Sequence, residues 1–466
     1  MMAMGIWEIV IVFGLLAGGG SVDIVSTLPA KEYLKARDIE VSAEKLMELA
    51  VQTPDSGKKQ FSQLMALSHL AAEPELIAKS PKMAEYRKTL SDIAGGKKAA
   101  DAEGFAAEYA QRVLRTLSGE KAPPRQRRAW KDSLTFLPEK ADMVGYMDAG
   151  SGGASMQKSA AFAGLLDVMP KEVKEQMWSA MEKVGNVRLE TLGFTASFSP
   201  DSGRLTEFVV RATGKGNPEW ILPLLPELKE LNDKQRRDAD GQTIRIFSTG
   251  PNTPVIALVG NREVIIAGVP PEFPPAKKAG RTGDEIMEAL LAARGKQKSP
   301  LTGPLKADLE KVPADANVVF VGNIPPEKGP TPFPLPGKVI AFGKPFAGGI
   351  DLQISGVMGN DESAKEFVSQ VGKFRDMGLD ELKKMQGKPL PFPAPGININ
   401  GMIGLLESVQ LEAVGNEAKV RALVPDEMMS MAMMGFIVPF QVRAAAPPPP
   451  VPQPAVEEKK VEDKKK

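Results

Sequence analysis

The chain has no cysteine and a single histidine, His69. Without thiolates there are no disulfides, no cysteine nucleophile and no iron–sulfur ligation, and zinc or iron sites built on cysteine or several histidines are excluded. Histidine-based acid–base chemistry would have to use His69. That residue lies in the apolar helical stretch Phe61 to Leu70, with no nucleophile signature around it, and reads as a helix-face residue. An excess of one charge is missing too: 59 basic and 58 acidic side chains leave +1 over 466 residues. That balance gives no overall attraction to phosphate backbones or anionic lipid. The densest basic run, Arg125, Arg127, Arg128 and Lys131 behind Pro123-Pro124, reads as a solvated linker. No cofactor and no nucleic acid partner are expected.

Long apolar runs are scarce. The one at the N-terminus, Ile6 to Ala17, is broken only by Glu8 and followed by Gly18-Gly19-Gly20-Ser21. Its length suits the apolar region of a signal peptide and is short for a membrane span, although no Lys or Arg precedes it. Residues 1–20 are expected to be a signal peptide or membrane-anchor-like segment. The protein would then be exported to the periplasm, envelope or exterior, touching membrane only through that segment; a cytoplasmic location is the alternative. At the other end, residues 444–466 combine Pro447 to Pro450 with a Lys/Glu run, a composition that cannot form a core.

Between these ends, 42% apolar content can fill two or three cores. Residues 29–120 follow a helical pattern. Phe105, Tyr109, Val113 and Leu117 recur every four residues, with Leu114 widening the stripe. Breakers at Pro54, Pro74, Pro81 and Gly95-Gly96 divide the segment into four or five short helices. Beyond the linker the pattern turns to strands, and it repeats. Leu137-Pro-Glu-Lys-Ala141-Asp-Met-Val144 answers Val312-Pro-Ala-Asp-Ala316-Asn-Val-Val319. Gly216-Asn217 opens one helix and Gly359-Asn360 another. Val259-Gly260-Asn261 with Val269-Pro270 answers Val414-Gly415-Asn416 with Val424-Pro425, gapless at an offset of 155 residues.

The anchors have physical roles. Gly260-Asn261 and Gly415-Asn416 supply the positive φ of tight hairpins, and Asn217 and Asn360 are natural N-caps. These six are the candidate structural turn and cap positions. They predict an α+β chain: a helical subdomain, then two tandem antiparallel sheet-plus-helix units at 134–294 and 309–440. The first unit would carry a helical insert, Met156 to Val184. The helix Ala364, Phe367, Val368, Val371, Phe374 is expected to lie its apolar stripe on the sheet, with all helices on one face.

The strand opening [LV]-Pro-x-x-Ala-[DN]-x-Val, repeated in tandem behind an export-like leader, resembles uncharacterised exported bacterial proteins. The resemblance covers the two α+β units and implies no catalytic residues.

Three features hint at chemistry, and each has a plainer reading. Gly150 to Ser155 lacks the lysine of a phosphate loop and reads as a connector. Met428, Met429, Met431, Met433 and Met434 could ligate copper but read as core filler. Asp238-Ala-Asp240-Gly241 fails the spacing of a calcium loop and reads as a turn. The expected function is that of a non-enzymatic exported or envelope-associated structural or interaction protein, with a protein or envelope surface as partner. The alternatives are a binding module holding a lipid-like or peptide ligand between paired sheets, and a Cys/His-independent hydrolase.

Overall fold

A computed structural model describes residues 22–23, 25, 28–98, 104–121, 129–148 except 136, 170–199 except 187, 203, 205–216, 229–231, 235–237, 241–248, 254–268, 281–293, 299–324, 334–346, 349–386 and 399–425. The leader, the linker arginines 125–128, the glycine loop, Asn217, residues 238–240, the methionine cluster and the tail lie outside these residues. Among the described residues no helix is long and apolar enough to cross a membrane. The fold is α+β, as the pattern predicts: a helical region beside a large antiparallel sheet.

After the short strand β1 (Val22–Asp23) come α1 (Ala30–Ala36), α2 (Ala43–Ala50), α3 (Gly57–Ala72), α4 (Glu75–Ala78), α5 (Met83–Ala94) and α6 (Phe105–Leu117). Among the described residues six helices stand where four or five were expected: the later breaks fall at the expected prolines and glycines, but the first, at residues 37–42, has neither. Ser42 and Ser56 start α2 and α3 by accepting from the backbone N–H of Lys45 and Lys59. Helix α3 is the hub, burying Phe61, Leu64, Met65 and Leu67 completely. Around it pack Phe105, Tyr109 and Val113 of α6 and Leu90 of α5.

This core reaches past residue 120, which the sequence did not anticipate. After α7 (Trp130–Leu134) and β2 (Met143–Asp148), helix α8 (Lys171–Val184) occupies the described part of the predicted insert. It sends Met177, Trp178 and Met181 into the helical core, the two methionines contributing roughly 1.5–3 kcal/mol each. Tyr33 meets Trp178 and Phe61 edge-on, with centroids 5.4 and 5.1 Å away. Its hydroxyl donates to Glu182 at 2.9 Å, and Arg37 donates to Glu182 at 2.7 Å and to Glu175 at 2.6 Å. Burial, more than any single partner, pushes the Tyr33 phenol well above its ordinary value. Glu108 of α6 then binds two cations of the sheet, Arg188 at 2.5 Å and Lys215. Burial works against its carboxylate, but Lys215 and Arg188 together hold its pKa below the usual glutamate value.

The remaining elements are β3 (Arg188–Phe198), β4 (Leu205–Lys215), β5 (Lys229–Glu230), β6 (Arg236–Arg237), β7 (Thr243–Ser248), β8 (Val255–Val259), β9 (Glu263–Gly268), α9 (Gly283–Ala293), α10 (Lys306–Leu309), β10 (Val318–Asn323), β11 (Lys338–Phe346), β12 (Gly349–Val357), α11 (Asp361–Met385), α12 (Ile399–Ser408), β13 (Gln410–Val414) and β14 (Glu417–Pro425). The described strands form one 14-stranded sheet in the order β13-β14-β12-β11-β10-β2-β3-β4-β9-β8-β7-β5, with β1 on β3 and β6 on β7. The sequence pattern suggested two separate sheets. Instead they fuse edge to edge where β2 pairs with β10, because both opening strands are apolar on both faces and each buries the other's edge.

The register on either side of this junction is matched. Gly145 and Phe320 each follow the last valine of the repeated opening, and they pair with each other. Outward from this pair, one row runs Gly145, Phe194, Val210, Ile266, Ile256. The other runs Phe320, Ala341, Ile354, Val420, Leu411. The order of strands is the same in both directions: opening strand, long hairpin, then the last hairpin with its second strand innermost.

One face of the sheet carries Val144, Tyr146, Val209, Ile265, Ala257, Val319 and Val321, covered by Trp130 and Leu134 of α7, Ile286 and Leu290 of α9, and Leu309 of α10. Leu137, Ala141, Val312 and Ala316 of the repeated opening are all in that core. Helix α11 lies on the other face, where Ala364 and Phe367 meet Ala418 and Met358. The expectation of helices on one face is therefore corrected. Phe374, expected on the sheet side of α11, is 55% exposed, as is its neighbour Met377 at 57%.

Candidate interaction surface

Of the turn and cap positions, Asn217 lies outside the described residues and the other five can be placed. Gly260 (φ 52°) sits at the turn between β8 and β9, and Gly415 (φ 56°) at the turn between β13 and β14. Counting along the register rows, Gly260 stands four residues beyond Ile256 and Gly415 four beyond Leu411, so the two tips occupy the same place in the two halves. The gapless offset does not persist past them. Val259 pairs with Glu263 across three turn residues, whereas Val414 pairs with Glu417 across two. Were the extra residue in a strand, it would turn that strand's buried face outward; in the turn it costs nothing.

In the second half the tip also meets the cap. The Asn416 carbonyl accepts from the Met358 N–H at 2.8 Å, and its side chain donates to the Met358 carbonyl at 3.2 Å. Two residues on, Asn360 Oδ1 accepts from the Ser363 N–H at 2.8 Å and starts α11. Asn261, on the first-half tip, is exposed. Among the described residues, Gly260, Gly415 and Asn416 thus sit at turn tips and Asn360 at a helix start.

The surface that stands out is the part of the sheet face beyond the α9 core. A row of paired residues on this face leads outward from Val144 through Val321, Ile340, Ser355 and Lys419 to Glu412. The matching row on the first-half side runs from Tyr146 through Gly193, Arg211 and Ile265 to Ala257. Ile265 and Ala257, in the core under α9, are thus answered by Lys419 and Glu412, and Val209, Ala267 and Val255 by Gln353, Arg421 and Gln410. The adjacent row ends in Phe342, Gln353, Arg421 and Gln410. These four, with Ser355, Glu412 and Lys419, line a shallow depression of about 670 Å³.

Its charges are held in place. Arg421 donates through Nε and Nη2 to the two oxygens of Asp351, both at 2.8 Å, a forked pair between β14 and β12. Arg421 keeps the Asp351 carboxyl below its usual range, against the opposing effect of burial. Lys419 stands 3.9 Å from Glu417. Glu412, opposite Lys419 in register, is exposed and forms no ion pair among the described residues. The sequence reading overlooked these residues, although the signal was present. Asp351, Gln353 and Ser355 alternate with apolar neighbours, as do Glu417, Lys419 and Arg421, and that period of two marks a polar sheet face.

No family model matches the chain, and no curated protein matches it. Among solved structures, that of crystal form III of TP0453 aligns with 65% of this chain and 97% of its own, at 11% identity and a TM-score of 0.31. The structure of crystal form IV of TP0453 aligns with 66% of this chain and 98% of its own, at 11% identity and a TM-score of 0.30. Scores this low fix neither fold nor function.

Proposed function

We propose that the protein is a non-enzymatic, exported or envelope-associated interaction protein, built from a duplicated sheet unit whose second copy presents a binding face. The observation that carries this is the contrast between matched rows. Val209, Ala267 and Val255 lie in the core under α9, while their counterparts Gln353, Arg421 and Gln410 are half-buried or exposed, as are Lys419 and Glu412 in the places of Ile265 and Ala257. A duplicated unit starts with the same residues on both faces. Replacing the apolar ones on one copy exchanges a covered surface for a displayed one. Matched strand order, coincident Gly-Asn tips and the central Gly145–Phe320 pair support the duplication. Export rests on the apolar run Ile6 to Ala17 and the composition of the tail. The edge-to-edge junction leaves the alternative of a ligand between facing sheets without its facing sheets.

The test is a photo-crosslinking residue placed at Lys419 in the full chain, expressed in its own cells, with Lys88 on exposed α5 as control. A discrete crosslinked partner at Lys419, absent at Lys88, is the expected result. Equal labelling at both positions would remove the binding-face reading. Recovery of full-length chain from the cytosol would remove the export reading.

A further inference from the structure

The two halves differ in one further respect. In the first, β8 is covered along its outer edge by β7, with Ile244 to Ser248 pairing Val259 to Val255. Strand β13 holds the same place in the second half, Leu411 matching Ile256. On its outer side it has no strand among the described residues, because the chain before it forms α12 rather than a strand. Its residues alternate in exposure, and Val414 at the tip is 47% exposed.

The backbone groups on that edge can be assigned. The two-residue turn Gly415-Asn416 closes on a hydrogen-bonded pair, Val414 with Glu417. Pairing alternates from there, so Glu412 and Gln410 also turn their N–H and C=O toward β14, and Leu411 and Ala413 turn theirs outward. Two donors and two acceptors, with no strand partner among the described residues, thus face the side that β7 covers in the first half. Glu412, without a cation, sits between them.

We propose that this edge accepts an extended segment of another polypeptide as an added antiparallel strand, with a Lys or Arg of that segment opposite Glu412. The proposal rests on the second half being the interaction surface and names the class of partner. Main-chain pairing to Leu411 and Ala413 supplies binding, and the cation opposite Glu412 sets the register. A second copy of this chain is a poorer occupant. Antiparallel self-pairing centred on Glu412 sets two carboxylates against each other, and moving the centre leaves both without a cation.

The chain itself provides a test ligand. In β7, Ile246 pairs with Ala257, which corresponds to Glu412. A fluorescein-labelled peptide copying residues 241–250 with Ile246→Lys should bind the full chain with micromolar affinity by anisotropy. Ala413→Pro removes an outward N–H and no bond to β14, so it should keep the unfolding midpoint and weaken binding at least about tenfold. Glu412→Lys should weaken the same peptide similarly, and a peptide with Ile246→Glu should recover on that variant. This charge swap keeps the test decisive if Ala413→Pro does not fold. Absence of binding at millimolar peptide, or binding unchanged by both variants, overturns the proposal. So does a concentration-dependent dimer in sedimentation that Ala413→Pro abolishes, since the occupant is then a second copy. If the peptide fails while the Lys419 crosslink persists, the strand acceptor falls and the interaction reading stands; loss of the crosslink removes the reading itself.

Discussion

At the centre of the sheet, Gly145 has no room for a side chain. A methyl group there would lie 1.8 Å from Cε1 of Phe194 and 2.5 Å from Cδ1 and Cζ. Phe194 is 7% exposed, packed with Met143, Ala196, Phe320, Val339 and Ala341, and its ring centroid is 6.2 Å from that of Phe320. The ring cannot swing aside without opening that cluster. Gly145→Ala should therefore cost about 3 kcal/mol, the upper end for overpacking. Phe194→Ala alone should cost about 3–5 kcal/mol as a cavity. In the double variant the new methyl group enters space the ring has left, so its own penalty should nearly vanish, giving a coupling of about 3 kcal/mol. Urea unfolding followed by the fluorescence of buried Trp130 and Trp178 measures all four corners of the cycle, provided the slope m is unchanged. A Gly145→Ala variant within about 0.5 kcal/mol of the parent, or strictly additive penalties, would refute this account of the junction.

Two predictions concern pH. His69 is 3% exposed, and burial, partly offset by Glu73, holds its pKa below the ordinary 6.5. Its contribution to stability is then complete above pH 6.5 and is lost as pH falls toward the folded value. As the one histidine, it gives a single imidazole signal in proton NMR, whose midpoint should lie below 6.5. A midpoint at or above 6.5 contradicts the burial. Glu108 likewise has its folded pKa below the ordinary 4.5, so its stabilisation is present above pH 4.5 and disappears as pH falls through the folded value. Glu108→Gln should lower the melting temperature at pH 7 and flatten its acid dependence below pH 4.5; an unchanged acid limb counts against the Arg188–Lys215 clamp.

Much of the architecture was legible because local signals are strong. Thr243–Ser248, which alternates at its start, and Val255–Val259, apolar throughout, are strands, and Asn360 caps α11 as its position ahead of a helical stripe requires. What escaped was non-local. Nothing in the period of Met177, Trp178 and Met181 says that their face meets Tyr33 and Phe61 rather than the nearby sheet. The β2–β10 pairing joins strands far apart in the chain, and apolar content on both faces says a strand is buried without naming its neighbour. Phe374 continued the apolar stripe of α11 in sequence, yet it stands 55% exposed. The polar face was readable from the alternation at Asp351 to Ser355; its significance appeared only when register set Lys419 against its covered counterpart.

The fused sheet underlies both the matched halves and the identification of an open edge, and the cysteine-free chain allows its register to be tested directly. Val144 pairs with Val321 across the junction, whereas Val319 pairs with Tyr146. In the double variant Val144→Cys, Val321→Cys, folded in a glutathione redox buffer, a disulfide should form in nearly all molecules, seen as a mobility shift on a non-reducing gel. In Val144→Cys, Val319→Cys, two positions out of register, it should not. Equal crosslinking of both variants, or none in the first, would contradict the pairing on which the two halves are matched.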